Sequence, residues 1–223
     1  MRAVLKPNGR IVLEFPYAGD FLEKTEFDTI YHEHVYYFSL MALLPLFARH
    51  GLAIFHVEKL SIHGGSLRLF AGHKDAHVEQ PSVNDLLQEE QRLGFNIPAY
   101  YQHFRQQVYS IRDSLVALLT KLKSEGATIA AYGAAAKGST MLNFCGIGKS
   151  LLDFVVDRST HKQGRLTPGM HLPILAPEQL LARQPQYTLL LTWNFADEIL
   201  AQQRAYRDAG GKFIVPIPRV SIV

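Results

Sequence analysis

The last hundred residues switch regularly between runs of strand formers and amphipathic stretches, and few folds accept that rhythm. Strand-forming runs at 128–132, 152–156, 187–192 and 212–215 alternate with helical patterns at about 139–144, 177–183 and 196–209. Such alternation predicts a parallel sheet with helices on both of its faces. In sheets of this kind ligands lie beyond the carboxyl ends of the strands. The residues just after each run therefore matter most: Gly133 to Lys137, Asp157 and Arg158, Trp193 and Asn194, and Pro216 to Pro218.

The earlier chain has a different pattern. Pro7, Asn8 and Gly9 signal a turn that feeds directly into a strand over 11–15. Ser39 is placed to cap an apolar helix over 40–49, closed at Gly51, with Pro45 positioned to kink it. Two strands, 52–60 and 66–72, follow across a turn at His63, Gly64 and Gly65. A first strand without earlier neighbours implies the C-terminal portion of something longer. From 82 onward Val83, Leu86, Leu87 and Leu93 mark one helix. After Pro98 a longer helix carries Tyr101, Phe104, Val108, Ile111, Leu115, Leu118, Leu119 and Leu122 at three and four spacings, which is a core-facing stripe. The expected organisation is three segments: 1–80, a helical connector over 81–126, and 127–223.

Charge and cysteine content narrow the function classes. Twenty-three basic and twenty acidic side chains leave a net charge of +3 without any run of one sign, which argues against a nucleic-acid or membrane-surface footprint. An anionic ligand would have to be gripped locally. Cys145 is the single cysteine, so there is no disulfide framework and no cysteine-based zinc site, in keeping with a reducing, cytoplasmic setting. No apolar run approaches the ~20 residues of a membrane span.

Two constellations carry chemistry. The first, Glu26 to Phe38, packs Asp28, Tyr31, His32, Glu33, His34, Tyr36 and Tyr37 together. An imidazole beside a carboxylate can remove a proton near neutral pH, and phenols can donate to a developing oxyanion. A structural aromatic loop is the plainer alternative. His32 and His34 also suit two metal ligands, but no third ligand stands at a recognisable spacing, and the expectation is no metal. The second constellation, Tyr132-Gly133-Ala134-Ala135-Ala136-Lys137-Gly138, sits where a strand should turn into a helix. Small residues there allow close backbone approach, and the free amides of a helix start favour an anion. It matches neither of the standard glycine-rich phosphate fingerprints, and tight packing alone is an alternative. Asp157, Lys162, Arg165, Trp193 and Asn194 at the same expected edge supply cations, an acid, an amide and an aromatic plane, groups suited to a nucleoside diphosphate.

Read jointly, Glu14 to Asp20, Phe27 to His34, His63 to Gly65, Tyr132 to Gly138, Asn143 to Ile147, Lys162 to Arg165 and Thr192 to Asn194 resemble the S-adenosylmethionine-dependent sugar-nucleotide C-methyltransferases. The nearest type is the C-3 methyltransferase acting on TDP-3-amino or 4-keto deoxysugars. The resemblance implies an α/β chain: the end of a methyltransferase-type sheet built of strand, helix and hairpin, then a helical bridge, then a Rossmann-like parallel sheet that holds the sugar nucleotide. It implies a base that takes the proton next to a keto carbon, an enolate, and methyl transfer. By that similarity His34 is the base, with Glu33 and Tyr31 as its partners. Substrate binding falls to His63, Gly65, Tyr132, Gly133, Lys137, Asn143, Lys162, Arg165, Trp193 and Asn194. The family's cysteine-rich zinc segment, glycine-rich cofactor loop and acidic ribose ligand do not appear in this sequence, so the expectation is a chain inactive by itself, with the S-adenosylmethionine site mostly elsewhere. A stand-alone module that binds nucleotide sugars without catalysis is the rival reading.

Overall fold

The computed structural model describes residues 1–223, with the side chain of His63 outside the described set. The chain forms two compact units, Met1–Glu26 with Val35–Arg105, and Phe27–His34 with Gln106–Val223. No helix among the described residues is long and apolar enough to cross a membrane.

The first unit contains β1 (Ile11–Pro16), α1 (Ala18–Glu23), α2 (Leu40–Arg49), β2 (Leu52–Leu60), β3 (Ser66–His73) and α3 (Pro81–Leu93). Its three strands are antiparallel in the order β1-β3-β2. Ser39 Oγ accepts the amide of Ala42 at 3.2 Å, the expected cap, and α2 continues past Pro45 to end before Gly51 at φ +65°. Leu40, Leu43 and Phe47 of α2 join Val83 and Leu86 of α3 in a core built on Ile54, Val57, Leu67, Leu69 and Ala71. Helix α1 was not expected, since six residues between a strand and a turn give little periodicity to read.

The link between β2 and β3 is a 3-10 turn, Ile62–Gly64, followed by Gly65 at φ +143°. The glycines there are a packing requirement. A Cβ on Gly65 would lie 2.2 Å from Asp20 Cγ, and one on Gly64 would lie 2.6 Å from Glu26 Oε1. Beneath the same unit, the fully buried Glu90 of α3 accepts the amides of Leu40 and Met41, both at 2.7 Å, and the hydroxyl of Tyr17 at 2.9 Å. A carboxylate thus closes the start of α2, where free amides and the helix dipole favour negative charge.

Helix α4 (Pro98–Ser124) crosses the division between the units at Arg105. The second unit then runs β4 (Ile129–Tyr132), α5 (Ala136–Cys145), β5 (Phe154–Val156), β6 (Ile174–Leu175), α6 (Glu178–Arg183), β7 (Tyr187–Leu190), α7 (Ala196–Gln202), α8 (Arg204–Asp208), β8 (Lys212–Val215) and β9 (Ser221–Ile222). The sheet order is β6-β5-β4-β7-β8-β9, parallel except for β9, a Rossmann-like arrangement. Ala130, Tyr132, Phe154, Val156, Leu190 and Phe213 face one cluster with Leu180, Ile199 and Tyr206. The intervening Ile129, Ala131, Val155, Leu189 and Ile214 are buried as well, as a sheet covered on both faces requires. Two features depart from expectation. β6 and β9 have two residues each, too few for a pattern, and the single helix expected over 196–209 is broken at Gln203 into α7 and α8.

Candidate functional site

In the second unit the strand order runs outward from β4 in both directions, so β4 and β7 flank a switch point, the place where open α/β sheets accept ligands. Just past the two strands Gly133 adopts φ +99°, and a Cβ there would lie 2.5 Å from Thr192 Cγ2. The loops after β4 and β7 therefore pack directly on one another. Beside them opens a crevice of about 280 Å³ lined by Tyr132, Gly133, Asp157, Arg158, Thr192, Phe195, Glu198, Ile199 and Gln202. That is just below the range of small-molecule sites, about 300–1,000 Å³, and suits one part of a larger ligand. Thr192 Oγ1 is buried and has no hydrogen-bond partner among the described residues. Asp157, at the end of β5, fastens the loop. Its Oδ2 accepts the Ala134 amide at 2.7 Å and lies 3.5 Å from Lys162 Nζ, while Oδ1 accepts the Ser159 amide at 2.8 Å.

The acid and base residues of the first constellation belong to the same unit as this edge. Phe27–Thr29 forms a 3-10 turn that packs on α5. From it the fully buried Asp28 accepts the indole N–H of Trp193 at 2.7 Å through Oδ2. Lys137, in the first turn of α5, holds its ammonium 5.0 Å over the Trp193 ring. That ammonium and Asp28 Oδ1 are buried without a hydrogen-bond partner among the described residues. Burial pushes the Asp28 carboxyl up to about 6, opposed by the Trp193 hydrogen bond and the charge of Lys137. Further along the segment, Tyr31 Oη and His34 Nε2 are 3.1 Å apart with the rings edge to face. The Tyr31 hydroxyl titrates higher than an ordinary phenol, first from burial and then from Glu33 and Asp28, so it stays protonated and can donate. Glu33 is exposed.

The remaining expected residues are distributed as follows. Tyr132 is buried at the end of β4, its hydroxyl raised chiefly by burial. Asn143 on α5 gives its amide hydrogens to the carbonyls of Ser139 and Pro168 and fills the space a Cβ on Gly169 would need. Arg165 is exposed in the loop between β5 and β6, and Asn194 is half-buried after Thr192. Trp193 is buried between Asp28 and Lys137, so the exposed aromatic of the crevice is Phe195. Gly65 belongs to the first unit, and the side chain of His63 lies outside the described residues.

Sequence reasoning passed over Phe195, Glu198 and Gln202, and quoted Thr192 in a motif without giving it a role. Phe195, Glu198, Ile199 and Gln202 follow a helical spacing after a strand end, which was the available signal. Burial pushes the Cys145 thiol up to about 12, which keeps it in the protonated form. A wider groove of about 660 Å³ near Arg204, Arg207 and Lys212 lies where β8 begins, at the amino end of the strands, where such sheets do not carry ligands. No group of three metal-ligating side chains occurs among the described residues.

The second unit is thus a Rossmann-like α/β module with a crevice at the carboxyl edge of its sheet. Residues 61–218 match the family model described as the C-methyltransferase C-terminal domain, and the chain belongs to that family. It is also 39% identical over 222 residues to C-methyltransferase NovU of Streptomyces niveus, which covers 99% of this chain and 53% of that protein. The chain thus spans about half the length of the curated relative it matches.

Proposed function

We propose that this chain is the substrate-holding and base-bearing part of a C-methyltransferase acting on a keto deoxysugar nucleotide. The observation that carries the reading is that the Tyr31–His34 pair stands in a segment belonging to the same compact unit as the switch-point crevice, joined to it through Asp28 and Trp193. In this reading the nucleoside occupies the crevice beside Phe195. Lys137 and the free amides at the start of α5 take the diphosphate, with Lys162 and Arg165 adding charge on the side of β5. The keto sugar then reaches the Tyr31–His34 pair.

His34, in the tautomer protonated on Nδ1, takes the proton from the carbon next to the keto group onto Nε2. The Tyr31 hydroxyl turns from Nε2 to the carbonyl oxygen and donates to the enolate that forms. S-adenosylmethionine, the donor this reading implies, supplies an electrophilic sulfonium methyl. The residues present do not fit it. In the first unit the space over Gly19, Gly64 and Gly65 is taken by the protein's own side chains, Tyr17, Glu26 and Asp20, so these glycines leave no open cradle.

The test is His34→Ala in the enzyme that carries this chain. Methyl transfer should fall by about 10²–10⁴-fold while nucleotide affinity is kept. Equal loss of both would make His34 structural, and an unchanged rate would exclude it as the base.

A further inference from the structure

Asp28 precedes Tyr31 by three positions and His34 by six, in the same segment. It is fully buried, and apart from a bond to its own backbone its one hydrogen bond is from Trp193 to Oδ2, while Oδ1 has no partner among the described residues. An indole N–H needs no more than a neutral oxygen, so a carbonyl or an asparagine would satisfy it without burying an ionisable group. A carboxyl titrating near 6 is retained where packing does not demand one, the pattern expected of a functional position. Trp193 meets Asp28 at its nitrogen edge and Lys137 over its face, so the indole joins the acid–base segment to the start of α5. The charged and titratable groups felt around Asp28 are Lys137 and Cys145 on α5 and Tyr31 on its own segment.

We infer that Asp28 is a positioning residue: through Trp193 it fixes the 27–34 segment, and with it the Tyr31–His34 pair, at the carboxyl edge of the sheet beside Lys137. This rests on the reading of His34 as the base. Asp28 itself touches no reacting atom. Its hydrogen bond sets where the imidazole stands, and a displacement of about 1 Å at a base lowers turnover by up to about 100-fold.

Trp193 is the only tryptophan of the chain, so a single indole N–H resonance reports on the bond. In the full 223-residue chain that resonance should move with a midpoint near pH 6. Asp28→Asn, which keeps an acceptor, should abolish the titration but retain the ring-to-ring cross-peaks between Tyr31 and His34. Asp28→Ala and Trp193→Phe should each weaken those cross-peaks. In the enzyme carrying the chain, Asp28→Ala should lower kcat by about 10- to 100-fold with the nucleotide KM within about twofold, and Asp28→Asn should recover most of kcat. If Asp28→Ala fails to fold, Trp193→Phe and Asp28→Asn decide the matter. Unchanged Tyr31–His34 cross-peaks in a folded Trp193→Phe chain overturn the inference and leave the His34→Ala result standing. A fully active His34→Ala enzyme removes the base reading while the indole titration remains interpretable.

Discussion

Glu90 in the first unit and Asp28 in the second are the carboxyl side chains with no exposed surface among the described residues, and the two are handled in opposite ways. Glu90 in the first unit accepts three hydrogen bonds, from Leu40, Met41 and Tyr17. Asp28 in the second accepts one from another residue and leaves an oxygen without a partner among the described residues. The first carboxylate is what the fold requires, since it closes the start of α2 and satisfies the Tyr17 hydroxyl. The second is under-satisfied beside an ammonium in the same condition, at the carboxyl edge of the sheet, where open α/β folds accept ligands. A buried charge with all its partners is architecture; one without them points to chemistry.

The comparison is most exposed at Glu90. Glu90→Ala removes the cap of α2 and leaves the buried Tyr17 hydroxyl without its acceptor, and chemical denaturation should show a loss of about 3–4 kcal/mol. A loss below about 1 kcal/mol would remove the distinction between the two carboxylates.

A somewhat smaller effect is expected from the titration of Asp28. Its pKa is raised from 3.8 to about 6 in the folded chain, so its contribution to stability is fully present below the unfolded value and is lost as pH rises through the folded one. Between about pH 3.5 and 7.5 the wild type should therefore lose stability relative to Asp28→Asn, on the order of 2–3 kcal/mol. Above pH 7 the variant should be at least as stable as the wild type. An Asn variant less stable at every pH would mean that Asp28 is as structural as Glu90. The smallest effect belongs to Glu89, next door to Glu90. Its exposed pair with Lys59 at 2.8 Å should contribute less than about 1 kcal/mol, so Glu89→Ala should barely move the denaturation midpoint.

Much of the fold was legible because it follows from period. Strand and helix alternation after 127 gave the parallel sheet, and Ser39 and Gly51 bounded α2 as their chemistry dictates. What escaped was short or tertiary. β6 and β9 exist by pairing with neighbours. The break at Gln203 has no proline or glycine to announce it. At the site, the sequence drew attention to the Phe27–His34 segment, and its membership of the second unit could not be read from position, since residues of the first unit flank it on both sides. Trp193 looked like an open stacking plane because an aromatic after a strand suggests one. Its burial depends on Asp28, 165 positions away in sequence. No local pattern encodes a partnership of that range.

The central claim is that the carboxyl edge of the second unit holds a nucleoside diphosphate against the segment bearing the base. The direct test is titration of TDP or UDP into the chain while the Trp193 indole and His34 ring resonances are followed together. Saturable movement of both, lost in Lys137→Ala, is the predicted result. Binding that moves neither resonance, or no binding at about 1 mM nucleotide, would contradict it.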